Sequence, residues 1–107
     1  MRTAVFLDRD GTLIRDVGYL STPSGLCLER HAASGLRKMA SFGHLLIVVS
    51  NQSGVSRGLF TAEDVMAVNR HLADLLAGLG VVISGWYFCP HQEGEGCRCR
   101  LLGLVRR

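Results

Sequence analysis

Three short apolar runs punctuate the chain, and two amphipathic stretches separate them. The first run, Ala4-Val5-Phe6-Leu7, is bulky and branched, which predicts a strand buried on both faces. Ala32 to Phe42 then places Ala32, Leu36, Met39 and Ala40 at helical spacing and closes at Gly43. His44 opens a second strand, Leu45 to Val49, which stops at Ser50-Asn51-Gln52-Ser53-Gly54. Thr61 is a good N-cap, with Glu63 and Asp64 in the first turn of a second helix. Along that helix Val65, Val68, Leu72, Leu75, Leu76 and Leu79 mark one face, Gly78 and Gly80 close it, and His71 falls off the stripe as a solvated residue. Val81 to Phe88 reads as a third strand with Gly85 as a bulge signal. Strand, helix, strand, helix, strand predicts an α/β fold: a parallel sheet with flanking helices and right-handed crossovers.

Ile14 to Leu28 breaks the alternation. It holds Gly18, Pro23 and Gly25, and it is long for a connection in a compact domain. From there Asp16, Gly18 and Tyr19 can reach back over the end of the first strand.

Composition narrows the class. The chain has 107 residues, 48% apolar and 20% charged, which fits one small globular domain spanning 1–107 rather than a disordered segment. Met1-Arg2-Thr3 leads straight into the first strand with no secretion signal, and no apolar run is long enough to span a bilayer. The expectation is a cytoplasmic protein without a membrane partner. The net charge of +3 draws on Arg98, Arg100, Arg106 and Arg107. No aromatic-interleaved basic face accompanies them, so nucleic acid is not an expected partner.

The candidate chemistry sits where the first strand stops. Residues two apart on a strand point the same way, so Asp8 and Asp10 converge at its carboxyl end, and Gly11 allows the tight turn that follows. Ligands of open α/β sheets bind at that end. Two close carboxylates repel unless a proton or a cation sits between them. Mg2+ fits, because it needs only one or two carboxylates plus substrate phosphate oxygens. One carboxylate can then serve as nucleophile and the other as acid and base. In a parallel sheet the hydroxyls and amides of 50–54 sit beside this pair, suited to phosphate oxygens. Arg57 is a candidate cation for a second anionic group.

Cys89-Pro90-His91 and Cys97-Arg98-Cys99 flank a short polar loop with two glycines. Three cysteines and a histidine match a closed tetrahedral zinc site over residues 89–99, structural rather than catalytic. A disulfide between two of the cysteines is the alternative. Cys27 stands apart and reads as a small buried hydrophobe.

Together, Asp8-Arg9-Asp10-Gly11-Thr12-Leu13, Asp16-Val17-Gly18-Tyr19, Ser50-Asn51-Gln52-Ser53-Gly54, Arg57-Gly58 and the cysteine cluster resemble the haloacid dehalogenase superfamily of phosphatases. The closest resemblance is to its D-glycero-D-manno-heptose 1,7-bisphosphate 7-phosphatases and the related histidinol-phosphate phosphatases. The resemblance implies a Rossmann-like sheet and a Mg2+-dependent hydrolase acting on a small phosphorylated metabolite. It implies that Asp8 attacks phosphorus to form an aspartyl-phosphate, and that Asp10 protonates the departing oxygen and then activates water. It also implies that Asp8 and Asp10, the latter through its backbone carbonyl, hold Mg2+. Ser50 and Asn51 would hold the transferring phosphoryl group, while Asp16, Gly18, Tyr19, Gln52, Ser53 and Arg100 would meet the substrate. Cys89, His91, Cys97 and Cys99 would bind Zn2+. Arg57 and Arg100 suit a second phosphate, which favours heptose bisphosphate over histidinol phosphate.

One departure stands out. In that family the arginine at position 100 is followed by a phosphate-binding lysine, then by a fourth strand with an acidic metal site. Here Leu101 follows, the only lysine is Lys38, and the tail reads as a truncation or a shifted frame, so the C-terminal strands are expected to be lacking. Weak activity is therefore expected, with a catalytically silent, zinc-stabilised remnant as the alternative. The first strand would lie at an unpaired sheet edge, which favours self-association.

Overall fold

The structure, a computed structural model, describes residues 3–52 and 54–89. Five elements follow the expected order: β1 (Ala4–Asp8), α1 (Ala32–Ser41), β2 (Leu45–Asn51), α2 (Ala62–Gly78) and β3 (Gly85–Cys89). The strands form one parallel sheet in the order β1-β2-β3, with Phe6 beside Ile47, Leu7 beside Val48 and Val48 beside Trp86. The fold class expected from the alternation is the one observed.

Handedness decides what is buried. When consecutive parallel strands lie side by side, right-handed crossovers carry every connecting helix over the same face. Register puts Val5 and Leu46 on one face together with Leu7, Val48 and Trp86. That face meets Leu36 of α1 and Val68, Leu72 and Leu76 of α2 in the core, which Leu13, Ile14, Leu20 and Val81 complete. The opposite face carries Phe6 and Tyr87, each 59% exposed. The expectation that β1 is buried on both faces is therefore corrected: an apolar run shows that a strand is wanted in a core, but not which face the helices take. Among the described residues β1 is an edge strand.

Local chemistry explains the element ends. Gly43 leaves α1 with a φ of +88°, a conformation that side chains rarely adopt. Thr61 caps α2 in a capping box: its side chain accepts from the Asp64 amide at 3.1 Å, and Asp64 accepts from the Thr61 amide at 2.8 Å. Thr61→Ala should lower unfolding stability by about 1 kcal/mol, read as a shifted urea midpoint with an unchanged slope. The third strand starts later than expected: 81–84 is irregular, although Val81 is buried. Gly85 pairs with Ile47 in regular register instead of forming a bulge, and a Cβ there would stand 3.2 Å from the Ile47 side chain.

The long connection from Ile14 is tied down. Ile14 bridges both Asp10 and Leu28, and the Arg15 amide donates to Cys27 at 2.7 Å. Leu13, Ile14 and Leu20 are buried. Cys27 is exposed, against the expectation of a buried hydrophobe, because this bridge uses its backbone and leaves the thiol outside. No helix among the described residues is long and apolar enough to cross a membrane.

Candidate active site

A cleft of about 450 Å³ opens at the carboxyl ends of β1 and β2. Its walls include Asp8, Asp10, Asp16, Gly18, Tyr19, Ser50, Asn51 and Gln52, so eight of the residues expected at the site meet in one place. Arg57 is exposed and is not among the described walls. Ser53, His91, Cys97, Cys99 and Arg100 lie outside the described residues.

The turn after β1 fixes the two carboxylates. The Arg9 amide extends the sheet by one bond to Val49 at 3.0 Å, and the Arg9 carbonyl accepts from both Leu13 and Ile14 at 3.0 Å. Gly11, with a φ of +86°, closes the turn by donating to Ile14 at 2.8 Å. Asp8 ends β1 with its side chain exposed to the cleft. Asp10 is held firmly. Its Oδ2 accepts from Arg9 Nε at 3.3 Å and from Gln52 Nε2 at 3.1 Å, while Oδ1 accepts from Arg9 Nη2 at 3.2 Å. The pair therefore differ in setting: one is open to the cleft and one is gripped through both oxygens.

The rest of the rim is shaped by loops. Asp16 accepts from the Gly18 amide at 2.9 Å, an Asx-turn that curls the loop toward the cleft. The Tyr19 ring sits 6.2 Å from Phe60, tilted by 55°. Ser50 is buried, and Gln52 is anchored through its amide to Cys89 at 2.7 Å. Gln52, expected to meet substrate, donates one of its two side-chain N–H groups to Asp10.

Arg9 and Asn69 were not legible as site residues. Arg9 is 1% exposed and donates from Nη1 to Asn69 Oδ1 at 2.9 Å. A signal existed: Asn69 occupies the apolar stripe of α2, between Val65 and Leu72, where a polar residue needs a buried partner.

The residues present fit Mg2+. A hard cation of this kind needs one or two carboxylates and completes its shell with water and substrate oxygens. No group of three or more acidic, histidine or cysteine side chains suited to a metal occurs among the described residues. Because both Asp10 side-chain oxygens already accept hydrogen bonds, the Asp8 carboxylate is the better ligand. Cys89 is fully buried at the end of β3, and the other three residues of the expected zinc set lie outside the described residues.

No family model matches the chain. It is 40% identical over 100 residues, 94% of its length, to a Thermoplasma acidophilum protein named "Probable D-glycero-D-manno-heptose-1,7-bisphosphate 7-phosphatase". It is 41% identical over 98 residues to the D-glycero-alpha-D-manno-heptose-1,7-bisphosphate 7-phosphatase of Mycobacterium tuberculosis. The crystal structure of the D,D-heptose 1,7-bisphosphate phosphatase of B. bronchiseptica, complexed with magnesium and phosphate, matches 97% of the chain with a TM-score of 0.85 and 28% identity. Along almost its whole length the chain is similar to haloacid dehalogenase-like phosphatases. It spans 62% of the Thermoplasma relative, 52% of the mycobacterial one and 59% of the solved chain. The family's arrangement of a parallel sheet with flanking helices is the one described above.

Proposed function

We propose that this site hydrolyses a phosphomonoester of a small sugar bisphosphate, the 7-phosphate of heptose 1,7-bisphosphate, through an aspartyl-phosphate. The observation that carries the reading is the unequal pair of carboxylates in one cleft, beside the polar end of β2. Asp8 Oδ attacks phosphorus while the ester P–O bond breaks. Asp10 gives a proton to the departing sugar oxygen, and then takes one from the water that releases phosphate. Ser50 and Asn51 orient the phosphoryl oxygens, and Asp16, Gly18 and Tyr19 line the sugar side. Gln52 acts on the substrate indirectly, through Asp10. Ser53, Arg57 and Arg100 complete the substrate site, the two arginines serving the distal phosphate. The Asp8 carboxylate and the Asp10 backbone carbonyl would hold Mg2+, which would supply charge neutralisation for the phosphoryl oxygens.

The test uses the purified chain with Mg2+ and heptose 1,7-bisphosphate, histidinol phosphate or p-nitrophenyl phosphate. Mg2+-dependent phosphate release, abolished by EDTA and fastest from the heptose ester, is the expected result. Release no faster than in the EDTA control for all three esters would refute the reading. Turnover should fall well below that of a full-length relative, because Leu101 stands where the resemblance places a lysine. The same feature favours the second reading, a silent chain, if Asp8 fails to become phosphorylated in a single turnover.

Zinc is proposed as a structural ion on Cys89, His91, Cys97 and Cys99. Elemental analysis of protein kept under reductant should find about one zinc per chain. A metal-free protein with all four cysteines open to thiol reagents would exclude the site.

A further inference from the structure

We infer that Arg9, pinned by Asn69, is a positioning residue that aims the Asp10 carboxylate at the leaving group, with α2 as its rigid backing. The inference rests on the roles proposed above for Asp8 and Asp10.

The geometry starts from alternation. If Asp8 and Asp10 face the cleft, the residue between them is turned the other way, toward the helix-covered side of the sheet. At that position the chain carries an arginine, 1% exposed. A guanidinium has five donors in a fixed fork. Here Nε and Nη2 hold the two Asp10 oxygens at 3.3 and 3.2 Å, and Nη1 reaches Asn69 Oδ1 at 2.9 Å. Asn69 is itself only 8% exposed. It is a neutral acceptor, so it fixes the far end of the fork without competing for the positive charge. Gln52 holds Asp10 from another direction, at 3.1 Å.

Stability alone is a poor explanation. Burying a guanidinium incurs a desolvation penalty that its ion pair often fails to recover, and apolar residues of similar volume commonly serve as well or better. The pair is also asymmetric: Arg9 is buried, while 22% of the Asp10 side chain remains exposed, and Asp10 lines the cleft. The buried member has the anchors and the exposed member has the chemistry. Oδ2 accepts two donors and Oδ1 one, so Oδ1 is the less engaged of the two oxygens.

Leaving-group dependence tests this. An alkoxide needs a proton to depart and p-nitrophenolate does not, so a misaimed acid slows one ester selectively. In Asn69→Leu, single-turnover release of a sugar alcohol from its phosphate should fall about 10- to 100-fold, the range for loss of an orienting partner. Release of p-nitrophenolate should fall no more than about threefold. The double variant Arg9→Met/Asn69→Leu replaces the polar pair by apolar side chains and guards against simple unfolding; it should fold and show the same selectivity. Equal losses for both esters, or none, would overturn the positioning role. Failure of the wild-type chain to turn over either ester would instead count against the site reading. In that case the clamp is decided without turnover, by 15N spectra of the arginine side chains. The Arg9 guanidinium should give slowly exchanging, separately resolved signals that average in Asn69→Leu. Signals averaged in the wild type, or unaffected by the substitution, would sink the inference.

Discussion

Asp8→Asn is expected to lower Mg2+-dependent turnover by at least about 10³-fold while leaving the chain folded, because it removes the attacking oxygen and almost nothing else. The substitution is isosteric. Asp8 is exposed at the end of β1, and no described hydrogen bond holds its carboxylate. Its backbone still pairs in register with Val49. Electrostatics adds a second signature. Two acidic groups at one strand end repel in the absence of a cation, so loss of one should be neutral or slightly stabilising in EDTA. Saturating Mg2+ should stabilise the wild type by about 2.7 kcal/mol at a hundred times its dissociation constant, and the variant by much less. Thermal melts with and without Mg2+ read this directly. A variant that keeps a tenth of the wild-type rate would remove Asp8 from the nucleophile's place, whatever its effect on metal binding.

That prediction rests on a part of the molecule the sequence shows plainly. Strands β1 and β2 each end an apolar run in polar residues, and parallel pairing is enough to bring Asp8, Asp10 and Ser50 to one rim. What pattern could not show is which sheet face would be covered. Phe6 and Leu7 are equally apolar, yet Phe6 lies open and Leu7 packs on the core, because strand order and crossover hand put both helices on one side. Arg9 escaped notice for a related reason. A charged residue in a turn reads as a surface residue until the alternation of its neighbours is followed onto the helix side. Cys27 failed in the opposite direction: its residue type favours burial, but the backbone bridge to Arg15 decides its orientation. Residue type anticipates an environment only where local geometry leaves it free to do so.

Gly54→Ala should destabilise the chain by about 1–3 kcal/mol, the usual cost of overpacking, and should raise KM for a sugar phosphate several-fold. The glycine is buried where the loop after β2 passes under the Tyr19–Phe60 pair. A Cβ there would press into Cε2 and Cζ of Phe60 and lie 3.0 Å from Tyr19 Cδ1. Phe60 is itself buried, so its ring cannot swing into solvent without losing packing. The yielding partner is Tyr19, half exposed and lining the cleft, and its displacement alters the wall that faces the sugar rather than the end that holds phosphate. Effects on p-nitrophenyl phosphate should therefore stay smaller than on the sugar ester. Pairing the substitution with Phe60→Leu makes room for the added methyl, and should return part of the lost stability without restoring KM, since Tyr19 then lacks the ring it rests on. Urea titrations and steady-state kinetics on the single and double variants separate the two effects. An alanine variant as stable as the wild type, with unchanged KM for the sugar ester, would show that the loop gives way elsewhere and that Tyr19 is not positioned through this contact.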